Sequence, residues 1–203
     1  MKPERILIGL TGNIATGKSA VGRMLAEMGA LVIDADRVAH EVMEPDGAAF
    51  AALIDAFGSE VLPPAGTVDR RRLGDIVFRD PAALARLEAA VHPAVIQEVG
   101  RRIAATDAAV VVVEAIKLLE AGMHRAYDAL WVVTAPRDLQ IKRLVSTRGL
   151  TPAEAALRVD AQAPQEEKAA LADLVLVNDG SLAHLWAQVR AAWERLAEVE
   201  QGS

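Results

Sequence analysis

The sequence of 203 residues predicts an α/β fold in which a parallel five-stranded sheet is flanked by helices. Three observations predict it: short apolar runs of strand length recur, helical stretches alternate with them, and a glycine-rich turn follows the first run. Most of the runs are continuously apolar, which is typical of strands that helices cover on both faces. The predicted strands are residues 5–11, 31–34, 108–114, 130–134 and 173–178.

Helical patterns fill most of the segments between these strands. A long, mostly helical stretch separates the second strand from the third, which predicts an inserted helical subdomain, and a helical hairpin punctuated by Gly149 and Pro164 predicts a lid. The single domain therefore divides into a core (1–44, 108–145 and 172–203), an insertion (45–107) and a lid (146–171). The predicted helices are residues 18–28, 36–43, 47–57, 81–104, 136–146, 152–160 and 181–198.

Two local patterns interrupt the insertion. Pro63 and Pro64 predict a turn between helices, and His92 followed by Pro93 predicts a break in a helical stretch. His92 in this setting is typical of a residue at the start of a helix.

Composition excludes several classes of function. The net charge is −6 and only 3% of the residues are aromatic, which argues against a broad nucleic-acid surface. The chain has no cysteine, so disulfides and thiolate metal sites are excluded and a reducing, cytoplasmic location is expected. No apolar run approaches the roughly 18 residues of a membrane helix, so we expect no membrane partner.

The glycine-rich turn reads GNIATGKS and fits the pattern G-x-x-x-x-G-K-[ST] at every fixed position. It follows a strand and precedes an amphipathic helix, the setting in which backbone N–H groups surround a phosphate. This predicts a P-loop NTPase-type core that binds a nucleoside triphosphate, with Lys18 at the β- and γ-phosphates and Ser19 as a ligand of Mg²⁺. The predicted cofactor-binding residues here are Gly12, Asn13, Ile14, Ala15, Thr16, Gly17, Lys18, Ser19 and Ala20.

Acidic residues follow two of the predicted strands, at the sheet edge where α/β folds bind ligands. Asp34 or Asp36 could accept a proton from an attacking hydroxyl, or could cap the following helix, and both interpretations stay open for either residue. Glu114, at the end of the third strand, could reach the Mg²⁺ shell directly or through water.

Arginines gather in and before the predicted lid, where they could stabilise charge on a transferring phosphoryl group. Any single one of them also fits an ordinary surface arginine. They are Arg137, Arg143, Arg148 and Arg158.

Segments spread over nearly the whole length match one known family in its order: GLTGNIATGKS, DADRVAHEV, VDRRRLGDIVF, VHPAVI, LLEAG, APRDLQIKRL, the pattern A-x-x-R-x-x-x-Q at residues 155–162, and ADLVLVNDG. Through them the chain resembles the dephospho-CoA kinase family. The resemblance implies transfer of the ATP γ-phosphoryl group to the ribose 3′-hydroxyl of dephospho-CoA, with Mg²⁺. It also implies a substrate-binding role for the insertion, together with a lid. We expect a monomer or a weak homo-oligomer.

The resemblance also implies roles for single residues. Asp36 is the expected general base with Asp34 as the alternative, and Lys18 and Arg143 complete the expected catalytic set. On the ATP side Arg148 resembles a lid arginine of the family, and Asn178 resembles the residue near the adenine. The substrate-binding residues expected from the match are Asp36, Arg70, His92 and Glu114.

The chain departs from the family pattern in three places. Asn13 and Ala15 replace two glycines that are usual in the loop, and Thr16 replaces a serine. The segment EAIKLLE has Glu114 where an aspartate is common and lacks a proline, although Glu120 is retained. His40 stands where an arginine is frequent.

Two other functions fit parts of the pattern: a different small-molecule P-loop kinase, acting on a nucleotide or a sugar acid, and a nucleotide-dependent switch without turnover. The acidic pair followed by the DRRRL and HP segments favours the dephospho-CoA kinase interpretation over another kinase. The acidic pair and the arginines of the predicted lid suit transfer to a hydroxyl rather than a switch.

Overall fold

The computed structural model describes residues 5–62 and 66–201 of the chain. In these residues five strands form one sheet in the order β2-β3-β1-β4-β5, and β1 pairs in parallel with β3 and β4, as β4 does with β5. The predicted α/β fold is thereby confirmed. The strands are β1 (Ile6–Thr11), β2 (Leu31–Asp34), β3 (Val110–Glu114), β4 (Ala129–Thr134) and β5 (Leu174–Val177).

The helices follow the predicted order with two additions, α4 and α8. Asp69 caps α4 by accepting a hydrogen bond from the Arg72 N–H, so the DRRR segment begins a helix. The turn predicted at Pro63 and Pro64 lies outside the described residues. The helices are α1 (Lys18–Glu27), α2 (Ala35–Val42), α3 (Phe50–Phe57), α4 (Arg70–Arg79), α5 (Pro81–Ala105), α6 (Arg137–Arg148), α7 (Pro152–Asp160), α8 (Gln165–Ala169) and α9 (Leu182–Gln201).

The chain divides into two compact units, one of residues up to Ile33 and from Asp107 onwards, the other Asp34–Thr106. In the first unit the core lies where α1 and α9 pack on the sheet, around Ile8, Leu25 and Val189, all at 0% exposure. The burial of β3 at every residue explains its uninterrupted apolar sequence.

The second unit is helical and packs around Leu53, Val61 and Leu73. The predicted break at Pro93 is wrong, because α5 runs through it without interruption. Val91, Ala94 and Val95 are buried on the face that α2, α3 and α4 cover, and this packing outweighs the hydrogen bond that proline removes. Within the two described ranges, no helix is both long and apolar enough to cross a membrane.

Candidate functional site

The loop Gly12–Ser19 joins β1 to α1 and contains two glycines with a positive φ angle. Gly12 has φ 149° and Gly17, the N-cap of α1, has φ 107°. A Cβ on Gly12 would lie 2.3 Å from the Val133 carbonyl oxygen, and one on Gly17 would lie 2.2 Å from Asn178 Nδ2. Both positions therefore require glycine, for space as well as for backbone conformation. We call residues 12–19 the phosphate-binding loop.

Lys18 lies folded into this loop. Its side chain is 7% exposed, and Nζ donates to the carbonyl oxygens of Gly12 at 3.0 Å and Asn13 at 3.4 Å. A buried ammonium group needs such partners, because desolvation otherwise disfavours its charge. The loop thus holds one positive charge at its centre, at the amino end of α1, where the helix dipole also favours an anion.

Ser19 and Glu114 meet at the edge of the sheet. The Ser19 hydroxyl donates to Glu114 Oε1 at 2.8 Å, and Glu114 is 7% exposed at the end of β3. No group of three or more His, Cys, Asp or Glu that could hold a metal ion occurs in the described residues. A hydroxyl and a carboxylate do fit Mg²⁺, which takes few protein oxygens and completes its shell with phosphate and water.

Arg143 and Asn178 bind the outer side of the phosphate-binding loop. Arg143 Nη1 donates to the carbonyl oxygens of Ala15 at 3.1 Å and Thr16 at 3.2 Å, while Nη2 donates to Asn178 Oδ1 at 2.8 Å. Asn178 Nδ2 in turn donates to the Thr16 carbonyl oxygen at 2.7 Å. Burial lowers the pKa of the Arg143 guanidinium from its usual value. Both residues hold the loop backbone in this structure.

Ala15 is the one non-glycine residue with positive φ in the described part of the chain, at 57°. It occupies a position where the resemblance to the family leads one to expect glycine. Together with Ile14 it packs on an apolar cluster of Leu144, Ala155 and Val159, formed by α6 and α7. The packing holds the loop against the helical hairpin of the predicted lid.

Sequence reasoning missed the side chains of residues 162–168, which reach the loop and the sheet edge. Gln162 Oε1 accepts from the Ile14 N–H at 2.6 Å, and Asn13 Nδ2 donates to the Ala163 carbonyl oxygen at 2.8 Å. The family match A-x-x-R-x-x-x-Q ends at Gln162 and is the one sequence signal for this residue. The match does not indicate which distant residue Gln162 contacts.

The acidic pair lies in the second unit, at the start of α2. Asp34 is its N-cap, and its Oδ1 accepts from the Arg37 N–H at 3.0 Å. Asp36 lies exposed in the first turn of the same helix. The capping interpretation therefore applies to Asp34.

The other predicted residues lie outside the phosphate-binding loop. Arg70 forms an ion pair with Glu44 within the second unit, where His92 is half-buried on α5.

On α6 and α7, Arg148 and Arg158 are exposed, and Ala20 is half-buried in α1. Arg137 is bidentate to Asp160, with both N–O distances at 2.7 Å.

Comparisons with known proteins match the chain almost throughout. The family model described as dephospho-CoA kinase matches residues 6–184. The dephospho-CoA kinase of Streptomyces avermitilis is 45% identical over 190 residues, 93% of each chain. A crystal structure from Thermus thermophilus has a TM-score of 0.83 at 35% identity, covering 96% of this chain and 98% of that one. The dephospho-CoA kinase from Campylobacter jejuni has a TM-score of 0.69 at 26% identity, covering 97% and 98%.

Proposed function

The chain belongs to the dephospho-CoA kinase family and is an ATP-dependent kinase of dephospho-CoA, and we propose which of its residues carry out the reaction. The γ-phosphoryl group moves from ATP to the ribose 3′-hydroxyl, giving coenzyme A and ADP. The observation that carries the assignment of residues is the phosphate-binding loop, with Lys18 buried inside it and the Ser19–Glu114 pair beside it.

The loop and its lysine bind the triphosphate. Backbone N–H groups of residues 12–19 hold phosphate oxygens, and Lys18 exchanges its bonds to Gly12 and Asn13 for bonds to the β- and γ-phosphates. Ser19 and Glu114 would hold Mg²⁺, which would supply positive charge to the transferring phosphoryl group. Arg148 and Asn178 complete the ATP site.

Asp36 is the general base. It accepts the proton of the 3′-hydroxyl as that oxygen attacks the γ-phosphorus, and the bond to ADP breaks. Asp34 caps α2 instead, with its Oδ1 accepting a hydrogen bond from the Arg37 N–H. Arg70 and His92 bind the acceptor. Arg143 supports the reaction by holding the backbone of the phosphate-binding loop in its observed conformation.

The enzyme works in the cytoplasm as a monomer or a weak homo-oligomer, with no nucleic-acid or membrane partner. Its lack of cysteine and its net charge of −6 support this proposal. Analytical ultracentrifugation over a range of concentrations tests the oligomeric state, and a stable tetramer would contradict it.

A coupled ADP-release assay over dephospho-CoA, adenosine, AMP and gluconate tests the function. Lys18→Ala should abolish turnover, and Asp36→Asn should lower kcat by about 10²–10⁴-fold with little change in ATP affinity. Asp34→Asn is the matched control, because asparagine caps a helix as well as aspartate does. A kcat loss in Asp34→Asn with normal turnover in Asp36→Asn would move the base to Asp34.

A further inference from the structure

Lys168 is buried, with 5% of its surface exposed, although the proposed mechanism does not use it. It lies on α8, where its Nζ donates to the Ile116 carbonyl oxygen at 2.8 Å and lies 3.0 Å from Glu120 Oε1. Burying a lysine is unfavourable unless its charge is paired and hydrogen-bonded. Such a residue therefore fixes the segment that supplies its partners.

That segment is the turn that follows β3. The Ile116 carbonyl oxygen also accepts from Thr11 Oγ1, at 3.2 Å. Thr11 is the last residue of β1, directly before the phosphate-binding loop, and Ile116 follows Glu114 by two residues. One carbonyl group therefore joins β1, the turn after Glu114, and α8.

A second side chain anchors α8 itself. Gln165 Oε1 accepts from the Ala135 N–H and its Nε2 donates to the Ala135 carbonyl oxygen, both at 3.1 Å. Gln165 and Lys168 are three residues apart and so lie on one face of the helix. This face holds the chain directly after β4 through Gln165 and the turn after β3 through Lys168, so α8 is a fixed support for the sheet edge.

We propose that Lys168 is a positioning residue, which holds the turn after β3 so that the Glu114 carboxylate stays at Ser19. This rests on the proposed role of Glu114 and Ser19 in holding Mg²⁺. Without the lysine, the Ile116 carbonyl oxygen loses the shorter of its bonds from Lys168 and Thr11, and the turn gains freedom. Groups behind a metal ligand commonly set metal affinity by orienting that ligand.

The test uses Lys168→Met, which removes the donor and keeps the length, and Thr11→Val, which removes the other donor to the same carbonyl. Lys168→Met should raise the Mg²⁺ concentration for half-maximal activity about tenfold, and Thr11→Val should raise it less. Both should speed amide deuterium exchange in residues 115–121 and weaken the stabilisation that Mg²⁺ adds to the ADP complex in thermal melts. Lys142→Met, at an exposed lysine of α6, is the control and should change none of these.

Glu114→Gln separates the two proposals. If it leaves the Mg²⁺ requirement unchanged, the metal role of Glu114 is wrong. If it raises that requirement while Lys168→Met and Thr11→Val do not, the positioning role of Lys168 is wrong. Unchanged exchange in residues 115–121 overturns the positioning role independently of activity, and if Lys168→Met does not fold, Thr11→Val decides on the same carbonyl.

Discussion

Asn178 lies between Arg143 and the phosphate-binding loop and bonds to both: its Oδ1 accepts from Arg143 Nη2 at 2.8 Å, and its Nδ2 donates to the Thr16 carbonyl oxygen at 2.7 Å. The same guanidinium bonds the carbonyl oxygens of Ala15 and Thr16. Backbone carbonyl groups satisfied in this way stabilise the loop conformation that presents N–H groups to an anion. The pair thus prepares the loop before ATP binds.

Replacing Arg143 by lysine tests this role. A lysine cannot span two carbonyl groups and an amide at once, so Arg143→Lys should raise the KM for ATP about tenfold, with a smaller loss of kcat. Steady-state kinetics measure both, and Arg190→Lys, at an exposed arginine of α9, is the control. A fall in kcat at unchanged KM would instead assign Arg143 to the transferring phosphoryl group.

Ala15 provides a prediction about stability. Its φ of 57° is unfavourable for a residue with a Cβ, by roughly 1–2 kcal/mol, while glycine loses more entropy on folding. Ala15→Gly should therefore stabilise the protein by about 0.5 kcal/mol, measured by urea unfolding. Ala26→Gly, on the exposed face of α1, should lower the free energy of unfolding by about 1 kcal/mol. Losses of equal size at both positions would contradict a strained loop.

The sheet and the loop could be predicted from the sequence because their signals are local. Continuous apolar runs mark strands, and fixed spacings mark a loop whose residues are neighbours in the chain. The continuity of α5 through Pro93 was not predictable, because packing against other helices outweighs the local preference of proline.

The supports of the site escaped prediction for a different reason. Lys168 and Gln162 bond to the Ile116 carbonyl oxygen and the Ile14 N–H, which are distant in sequence and, as backbone groups, carry no residue-type signal. Arg143 was expected at the phosphates from its residue type, whereas its observed partners are loop carbonyl groups and Asn178. Residue type indicates which bonds a side chain can form, and only the fold selects the partner.

The second unit should lose stability in acid through Glu98. Hydrogen bonds from Arg101 and Arg102 lower the pKa of Glu98 from 4.5 to about 2. A carboxylate whose pKa is lowered in the folded state stabilises the fold at pH values above its pKa in the unfolded state. This contribution should therefore disappear as the pH falls from about 4.5 to about 2. Urea unfolding followed by far-UV circular dichroism should show a lower stability for Glu98→Gln at pH 7, converging with the wild type near the lower pH.

Glu27→Gln, at an exposed carboxylate of α1, is the control for this experiment and should follow the wild-type curve throughout. Parallel curves for Glu98→Gln and the wild type would show that the two arginines do not stabilise the fold through this carboxylate.

Substituting alanine for Gly22 distinguishes an effect on helix stability from an effect on metal binding at the Ser19–Glu114 pair. A Cβ at Gly22 would lie 3.1 Å from Glu114 Oε2 and 3.4 Å from Val32 Cγ1, so the carboxylate has to shift by a few tenths of an ångström. Alanine also favours a helix over glycine by roughly 1 kcal/mol, so Gly22→Ala should keep or raise the melting temperature and yet raise the Mg²⁺ requirement severalfold. Gly100→Ala, in α5, has open space around its Cβ and should gain stability alone. An unchanged Mg²⁺ requirement in a folded Gly22→Ala would mean that the position of Glu114 does not limit metal binding.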